Sequence, residues 1–253
     1  MIDLHSHILP GIDDGVRNDE EALDLAREAV AEGVHTMAAT PHVRDDYPTS
    51  VERMETGVHE LRRLLAAQNV PLRIVYGGEI ALERVSTLGE DIDRFTLAQT
   101  GRYLLIEFPD YGWPLALDAT IQRLRARGTT AVLGHPERNG EVRQAPHLLA
   151  EAVEQGALVQ VTAGAIEGRF GRSQQRTARR LFELGLVHVL ASDAHGPSVR
   201  AGGIAVAAAA VGDPELARYV TELVPAAIVA GEALPTVPRP SRSRFRAILK
   251  RQY

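Results

Sequence analysis

The chain contains no cysteine. That absence excludes a disulfide scaffold, a thiolate zinc site and the nucleophilic thiolate that cysteine-based phosphatases and proteases require. Long hydrophobic runs are missing too. No stretch of roughly 18 apolar residues reads as a membrane-spanning helix, and the first residues lack the basic, then apolar, then cleavable pattern of a secretory signal. Both absences point to a cytoplasmic protein. Basic residues are scarce outside the C-terminus: Thr236 to Tyr253 hold Arg239, Arg242, Arg244, Arg246, Lys250 and Arg251 with no acid, whereas the first 235 residues set 22 basic against 33 acidic side chains, a net −11. So acidic a body is a poor partner for nucleic acid. At 253 residues, 45% hydrophobic and 24% charged, the chain suits one large α/β domain with a full core, or two small ones.

What is present is an alternation of short apolar strands with capped helices. Asn18 and Glu21 read as a capping box, Ala22, Leu25, Ala26, Ala29 and Val30 keep helical spacing, and Gly33 closes the helix. A strand over 34–40 delivers Pro41 and His42, and a helix starting at Thr49 or Ser50 buries Leu61, Leu64 and Leu65. Further strands are expected over 72–76, running into Gly77-Gly78-Glu79, over 103–106, ending at Glu107, over 130–133, ending at His135, over 157–162, and over 186–191, ending at Asp193 and His195. Between them the pattern places helices over 117–127, up to Gly156, and from a Ser173 cap to Gly185. Segment 83–100 is poorly patterned, and two last helices are expected over 202–211 and 213–224. Seven strands alternating with helices argue for a parallel sheet, most simply closed as a barrel.

Ligand-type residues cluster at one end of those strands. His5 and His7 lie two apart on the first strand, so both side chains point to the same face, and Asp13 and Asp14 follow in a Pro-Gly turn. His42, Glu79, Glu107, His135, Asp193 and His195 all fall at or just past carboxyl strand ends, where parallel β/α folds build their sites. Only the strand ending at Thr162 adds none. With Asp14 the set comprises five His, two Asp and two Glu. One divalent ion takes about four to six ligands, so the set implies two or three ions with a bridging carboxylate. Nitrogen and oxygen donors without sulfur suit manganese, iron or zinc better than calcium or magnesium.

Other residues are read more plainly. His35, His59, His147 and His188 stand at strand starts or in helices and read as surface or packing residues. Gly77-Gly78 would let the backbone approach the cluster. Arg138 and Arg200 would share the rim and form a bidentate phosphate clamp. Tyr47, Tyr111 and Trp113 lie on rim loops, either to grip an aromatic ring or to pack beneath the loops.

Taken together, His-Ser-His, Asp14, Thr-Pro-His, Gly-Gly-Glu, Ile-Glu-Phe, His-Pro-Glu-Arg and Ser-Asp-Ala-His resemble the PHP (polymerase and histidinol phosphatase) superfamily. Within it, the start His-Ser-His-Ile-Leu-Pro-Gly-Ile-Asp-Asp-Gly is most similar to the CpsB/CapC-type bacterial protein-tyrosine phosphatases. The resemblance covers Met1 to about Pro235, a phosphatase domain over 1–235, and leaves 236–253 as a basic tail. It implies a distorted (β/α)7 barrel with a trinuclear, usually manganese-activated centre held by His5, His7, Asp14, His42, Glu79, Glu107, His135, Asp193 and His195. Glu79 would bridge two ions, and Arg138 and Arg200 would hold the substrate phosphate as catalytic and substrate-binding residues. The implied role is removal of phosphate from a tyrosine autokinase that controls capsule or exopolysaccharide synthesis.

The ligand set fixes the chemistry expected. Water activated between cations attacks phosphorus in line with the departing oxygen, without a phosphoenzyme. A phenolate, with a free pKa of about 10, leaves more readily than an alkoxide. A PHP-type small-molecule phosphatase such as histidinol-phosphate phosphatase would use the same metals and is the alternative. A phosphodiesterase fits the acidic body poorly, and a non-catalytic metal-bound scaffold would not need so many ligands on an arginine-lined rim.

Overall fold

The computed structural model describes residues 1–197 and 203–236, so Arg200 and the basic tail beyond Thr236 lie outside the described residues. Its strands are short: β1 (Ile2–Asp3), β2 (Thr36–Ala39), β3 (His42–Val43), β4 (Arg73–Tyr76), β5 (Glu79–Ala81), β6 (Tyr103–Glu107), β7 (Thr130–Gly134), β8 (Leu158–Thr162) and β9 (Val189–Ala191). All ladders are parallel, in two runs, β1-β2-β4 and β3-β5-β6-β7-β8-β9.

The two runs belong to one ring because the second and third expected strands are each followed, after a two-residue break, by a further short strand. Thr40-Pro41 separates β2 from β3 and Gly77-Gly78 separates β4 from β5, while the Glu79 N–H donates to the Pro41 carbonyl at 3.0 Å and carries the pairing across. Proline has no N–H to give to a ladder, so an interruption at Pro41 is what its chemistry dictates. The ring closes between its ends: Ser6 bridges Ala194 in parallel, the His7 N–H donates to Ala194 O at 2.8 Å and the Asp193 N–H to His5 O at 2.9 Å. Seven strand segments therefore form the distorted (β/α)7 barrel.

Helices alternate with the strands: α1 (Asp19–Ala31), α2 (Val51–Ala67), α3 (Ile92–Phe95), α4 (Leu117–Ala126), α5 (Gly140–Gln144), α6 (Pro146–Glu154), α7 (Ala163–Glu167), α8 (Arg172–Glu183), α9 (Ile204–Val211), α10 (Pro214–Arg218) and α11 (Val224–Ala230). α1 buries Ala22, Leu25, Ala26 and Ala29, and α2 buries Met54, Val58, Leu61 and Leu65. Each fully buried Leu or Val contributes roughly 1.5–3 kcal/mol. Among the described residues no helix is long and apolar enough to cross a membrane.

Several local expectations shift. Asn18 does accept from the Glu21 N–H, but the Glu21 carboxylate reaches Arg17, both its backbone N–H (2.8 Å) and its guanidinium, one residue short of a reciprocal box. α8 begins after Gly171, with Ser173 inside its first turn rather than at the cap. The helix expected up to Gly156 is two, because Ala145 leaves the helical region (φ −135°, ψ 69°) before Pro146, which disfavours helix in the residue ahead of it. Segment 83–100 holds short 3-10 turns and α3, and the last expected helix runs on through a π turn (Tyr219–Leu223) into α11.

Two glycines are dictated by close approach. A Cβ on Gly15 would sit 2.1 Å from His7 O, so the turn carrying Asp13 and Asp14 folds tightly back onto the first strand. A Cβ on Gly78 would sit 2.7 Å from Phe95, and one on Gly77 3.0 Å from Thr40. The pair thus admits core packing of Phe95 and Leu97 immediately before Glu79.

Candidate metal centre

The ring brings nine ligand-type side chains to one place. They form four overlapping groups: His7, Asp14, His42 and His195; His5, His7 and Asp193; His5, Glu79 and His135; and His42, Glu79 and Glu107, with ligand atoms in each group within 4.8 Å of one another. His42 and Glu79 lie just past β2 and β4, as expected, and are also register partners at the starts of the short strands β3 and β5. Glu79 stands at the middle. Its Oε1 lies 3.3 Å from His5 Nε2 and 2.9 Å from His135 Nε2, and its Oε2 lies 3.4 Å from His7 Nε2 and 2.9 Å from His42 Nδ1. Asp193 Oδ1 is 3.3 Å from His5 Nε2 and 3.4 Å from His7 Nε2. Asp14, the most exposed of the set, places Oδ1 at 3.3 Å from His42 Nε2 and 3.5 Å from His195 Nε2.

Backbone shape helps to aim these groups. His135 (φ 41°) and Asp193 (φ 51°) both adopt left-handed backbone directly or shortly after β7 and β9, a costly state for a side-chain-bearing residue. Neighbouring strands hold them there: His135 N–H donates to Gln160 O at 2.9 Å, and Asp193 N–H to His5 O.

Buried polar atoms without partners decide whether a cation fits. His5 Nε2, His7 Nε2, His42 Nδ1 and Glu79 Oε2 are buried and make no hydrogen bond. Each such orphan costs about 1–3 kcal/mol. All four converge on the Glu79 carboxylate, where divalent cations would satisfy them together. The charge balance agrees. Burial would raise the Glu79 pKa, but His5, His135 and His42 outweigh it and hold it well below the carboxylate range; burial likewise opposes, and His5 and Arg138 overcome, ionisation of Asp193. Hydrogen bonds to His195 and His42 lower Asp14. Burial works against charging His7 and His42, yet Asp13, Asp193 and Glu79 lift the former and Asp14 and Glu79 lift the latter to about 9. Anionic carboxylates thus face histidines whose protons a cation can replace.

A second layer of residues orients the first, and of these the sequence pattern singled out only Asp13, in the turn after the first strand. Asp13 Oδ2 lies 2.8 Å from His7 Nδ1 and also accepts the His42 N–H at 3.0 Å. Gln160 Oε1 lies 2.9 Å from His5 Nδ1, so the strand ending at Thr162 does contribute to the site after all. Asp3 is fully buried and accepts from Ser192 Oγ at 2.5 Å, tying the first strand to the last. Burial pushes its pKa up to about 6. Arg44 donates from Nη1 to Glu107 Oε1 at 2.7 Å and lies over the Tyr47 ring.

The remaining sequence candidates sort clearly. Arg138 reaches into the centre and pairs with Asp193, and its guanidinium lies 3.4 Å from Thr162 Oγ1. Tyr47 stacks on His42, Trp113 packs on Phe108, and Tyr111 is 90% exposed. His35, His59 and His147 are exposed and His188 is half-buried; none joins the cluster.

Known proteins share this architecture. The family described as capsular polysaccharide synthesis, CpsB/CapC, matches residues 1–226. The chain is 36% identical to the tyrosine-protein phosphatase YwqE of Bacillus subtilis over 203 residues, 79% of each chain, and 29% identical to the tyrosine-protein phosphatase CpsB of Streptococcus pneumoniae, over 77% of this chain and 83% of that one. A crystal structure from work on those two proteins, described as unique metal-dependent tyrosine phosphatases, superposes with TM-score 0.85 at 32% identity, covering 96% of this chain and 100% of the other. A β-aspartyl dipeptidase from Fervidobacterium islandicum, at TM-score 0.57 and 16% identity over 92% of this chain and 74% of its own, shares the fold alone. With its barrel, its cluster and these matches, the chain belongs to the CpsB/CapC family of capsular polysaccharide synthesis proteins.

Proposed function

We propose that this protein is a metal-dependent phosphatase that hydrolyses phosphotyrosine on protein, and that its substrate is a bacterial tyrosine kinase acting in capsule or exopolysaccharide synthesis. The observation that carries the reading is the convergence of His5, His7, Asp14, His42, Glu79, Glu107, His135, Asp193 and His195 in four adjacent groups with Arg138 at their edge. Relatives described as tyrosine-protein phosphatases support the substrate class. Manganese, which the family resemblance implies, would be held in two or three sites around Glu79; the nitrogen and oxygen donors also suit iron or zinc. Cations held there supply the Lewis acidity that activates water and neutralises a phosphate dianion. Arg138, together with Arg200 as the sequence resemblance assigns it, binds the phosphate oxygens and fixes the phosphorus over the centre. Tyr111, exposed on a loop whose Gly112 carbonyl accepts from Asn139 Nδ2 at 2.9 Å, is free to contact the substrate.

The test compares phosphate release from a phosphotyrosine peptide, a phosphoserine peptide and histidinol phosphate, with and without Mn²⁺ after chelation, alongside metal content and thermal stability. Mn²⁺-dependent turnover of the phosphotyrosine peptide alone, with a higher melting temperature in the metal-loaded protein, is the expected result. Preference for histidinol phosphate would transfer the protein to the small-molecule reading.

A further inference from the structure

Between α5 and α8 lies a cleft of about 340 Å³ lined chiefly by Arg143, Ser173, Arg176, Thr177, Arg180 and Leu181. Its charge is unusual for a body whose first 235 residues carry 33 acidic and 22 basic side chains. Arg172, Arg176 and Arg180 follow one another at four-residue spacing on α8, so like charges stack along one helical row and repel. Arg172 is also the first residue of the helix, where a positive charge opposes the helix dipole. Local stability is not served by this arrangement. Arg180 pairs with Glu183 at 3.2 Å, and Arg143 Nη1 donates to Ser173 Oγ at 3.1 Å. Among the described residues no carboxylate lies within ion-pair distance of Arg143 or Arg176, which both border the cleft.

The two helices that line the cleft both start next to Arg138, the residue proposed to bind the reacting phosphate. Arg138 lies 5.6 Å over the ring of Phe170, two residues before α8 begins, and the next residue, Asn139, caps α5 by accepting from Glu141 and Val142 N–H groups. The same two elements therefore border both places. An extended peptide advances about 3.3 Å per residue, so a group three to six residues from the reacting phosphotyrosine spans about 10–20 Å.

We propose that this cleft binds a second anionic group of the phosphorylated protein substrate, a carboxylate or a further phosphate a few residues from the one hydrolysed; the proposal rests on the phosphatase reading above. Arg143 and Arg176 are its specificity-determining residues, and they act on binding without touching the reacting phosphate.

The test uses the full chain, metal-loaded, and three phosphotyrosine peptides that differ only in their flank: neutral, glutamate-rich, or carrying a non-hydrolysable phosphonate analogue of phosphotyrosine. Wild-type protein is expected to show a KM about tenfold lower for both anionic flanks, an advantage that fades at high salt. The double variant Arg143→Gln/Arg176→Gln should lose that advantage and keep the kcat for every peptide and the turnover of a small aryl phosphate. Loss for the phosphonate flank alone identifies phosphate as the ligand; loss for both identifies any anion. Equal KM values for neutral and anionic flanks in wild type, or an equal decline on all substrates in the variant, would overturn the proposal while leaving the phosphatase reading intact. Should no peptide be turned over, that reading fails, and fluorescence anisotropy with the same peptides decides the cleft separately: tighter binding of anionic flanks that depends on both arginines sustains it, and equal binding removes it. Thermal melting confirms folding, since removing Arg176 from the ladder should leave the melting temperature unchanged or higher.

Discussion

Asp13 Oδ2 lies 2.8 Å from His7 Nδ1, and the same oxygen accepts the His42 N–H, so one carboxylate orients two histidines of the centre. It leaves His7 Nε2 pointing at Glu79 and Asp193. Outer partners of this kind usually govern metal affinity by about 10–100-fold. Asp13→Ala should therefore lower Mn²⁺ affinity by about that factor while the fold persists. Asp13→Asn, which keeps one acceptor, should fall between. Metal titration by calorimetry settles it, and an unchanged affinity in Asp13→Ala would remove Asp13 from the site.

On the proposed function Arg138 handles phosphate and does not hold metal; it carries no ligand atom and approaches the centre through Asp193 and Thr162. Arg138→Ala should cost about 100-fold in kcat/KM on phosphotyrosine peptides with little change in metal content. Arg138→Lys should recover only part, because a lysine cannot make the two-pronged contact. Loss of metal from Arg138→Ala, measured by elemental analysis, would reassign the arginine to holding Asp193.

Much of this site was legible in the sequence because ligand chemistry and strand ends are local features. His5 and His7 share a face by the two-residue period of a strand, and His-Pro-Glu-Arg and Ser-Asp-Ala-His each follow an apolar run. Apart from Asp13, which stands beside Asp14 in the turn, the supporting layer was not legible. Gln160 and His5 are 155 residues apart, and Asp3 and Ser192 are 189 apart; they meet only because the seventh strand segment closes on the first. No local pattern distinguishes such a Gln or Asp from any other polar residue in a strand. The division of two strands was half visible, in that Pro41 and Gly77-Gly78 read as punctuation. Their consequence, that His42 and Glu79 pair with each other inside the ladder, depends on neighbours that the local sequence does not name.

Gly15 tests the turn that carries Asp13 and Asp14. Any side chain there meets the carbonyl and Cβ of His7, backbone and near-backbone atoms that have no freedom to yield. Gly15→Ala should destabilise by about 2–4 kcal/mol, on the scale of severe overpacking, and should weaken metal binding by displacing both aspartates. Urea unfolding gives the first number and metal titration the second. A variant with the wild-type midpoint would show that the turn can open without cost.

His188 sets a pH limit unrelated to the centre. Its ring Nδ1 accepts the Val159 N–H at 3.2 Å while the His188 backbone N–H donates to Val159 O at 2.9 Å, so the imidazole stands in for a ladder carbonyl and must be neutral. Burial lowers its pKa from 6.5 to about 4. In the unfolded chain the ring takes up its proton near 6.5, in the folded chain only near 4, so between those values the unfolded state binds more protons. The contribution of His188 is thus complete above pH 6.5 and declines as pH falls, by up to about 1.4 kcal/mol per unit and about 3 kcal/mol in all, with the loss complete below the folded value. Other groups titrate in the same range, so the comparison is with His188→Gln, which keeps an acceptor and cannot ionise there. Urea midpoints at pH 7.5, 6.5 and 5.5 should fall more steeply for wild type than for the variant. Parallel curves would mean that the ring swings out to water on protonation, leaving the Val159 N–H to find another partner.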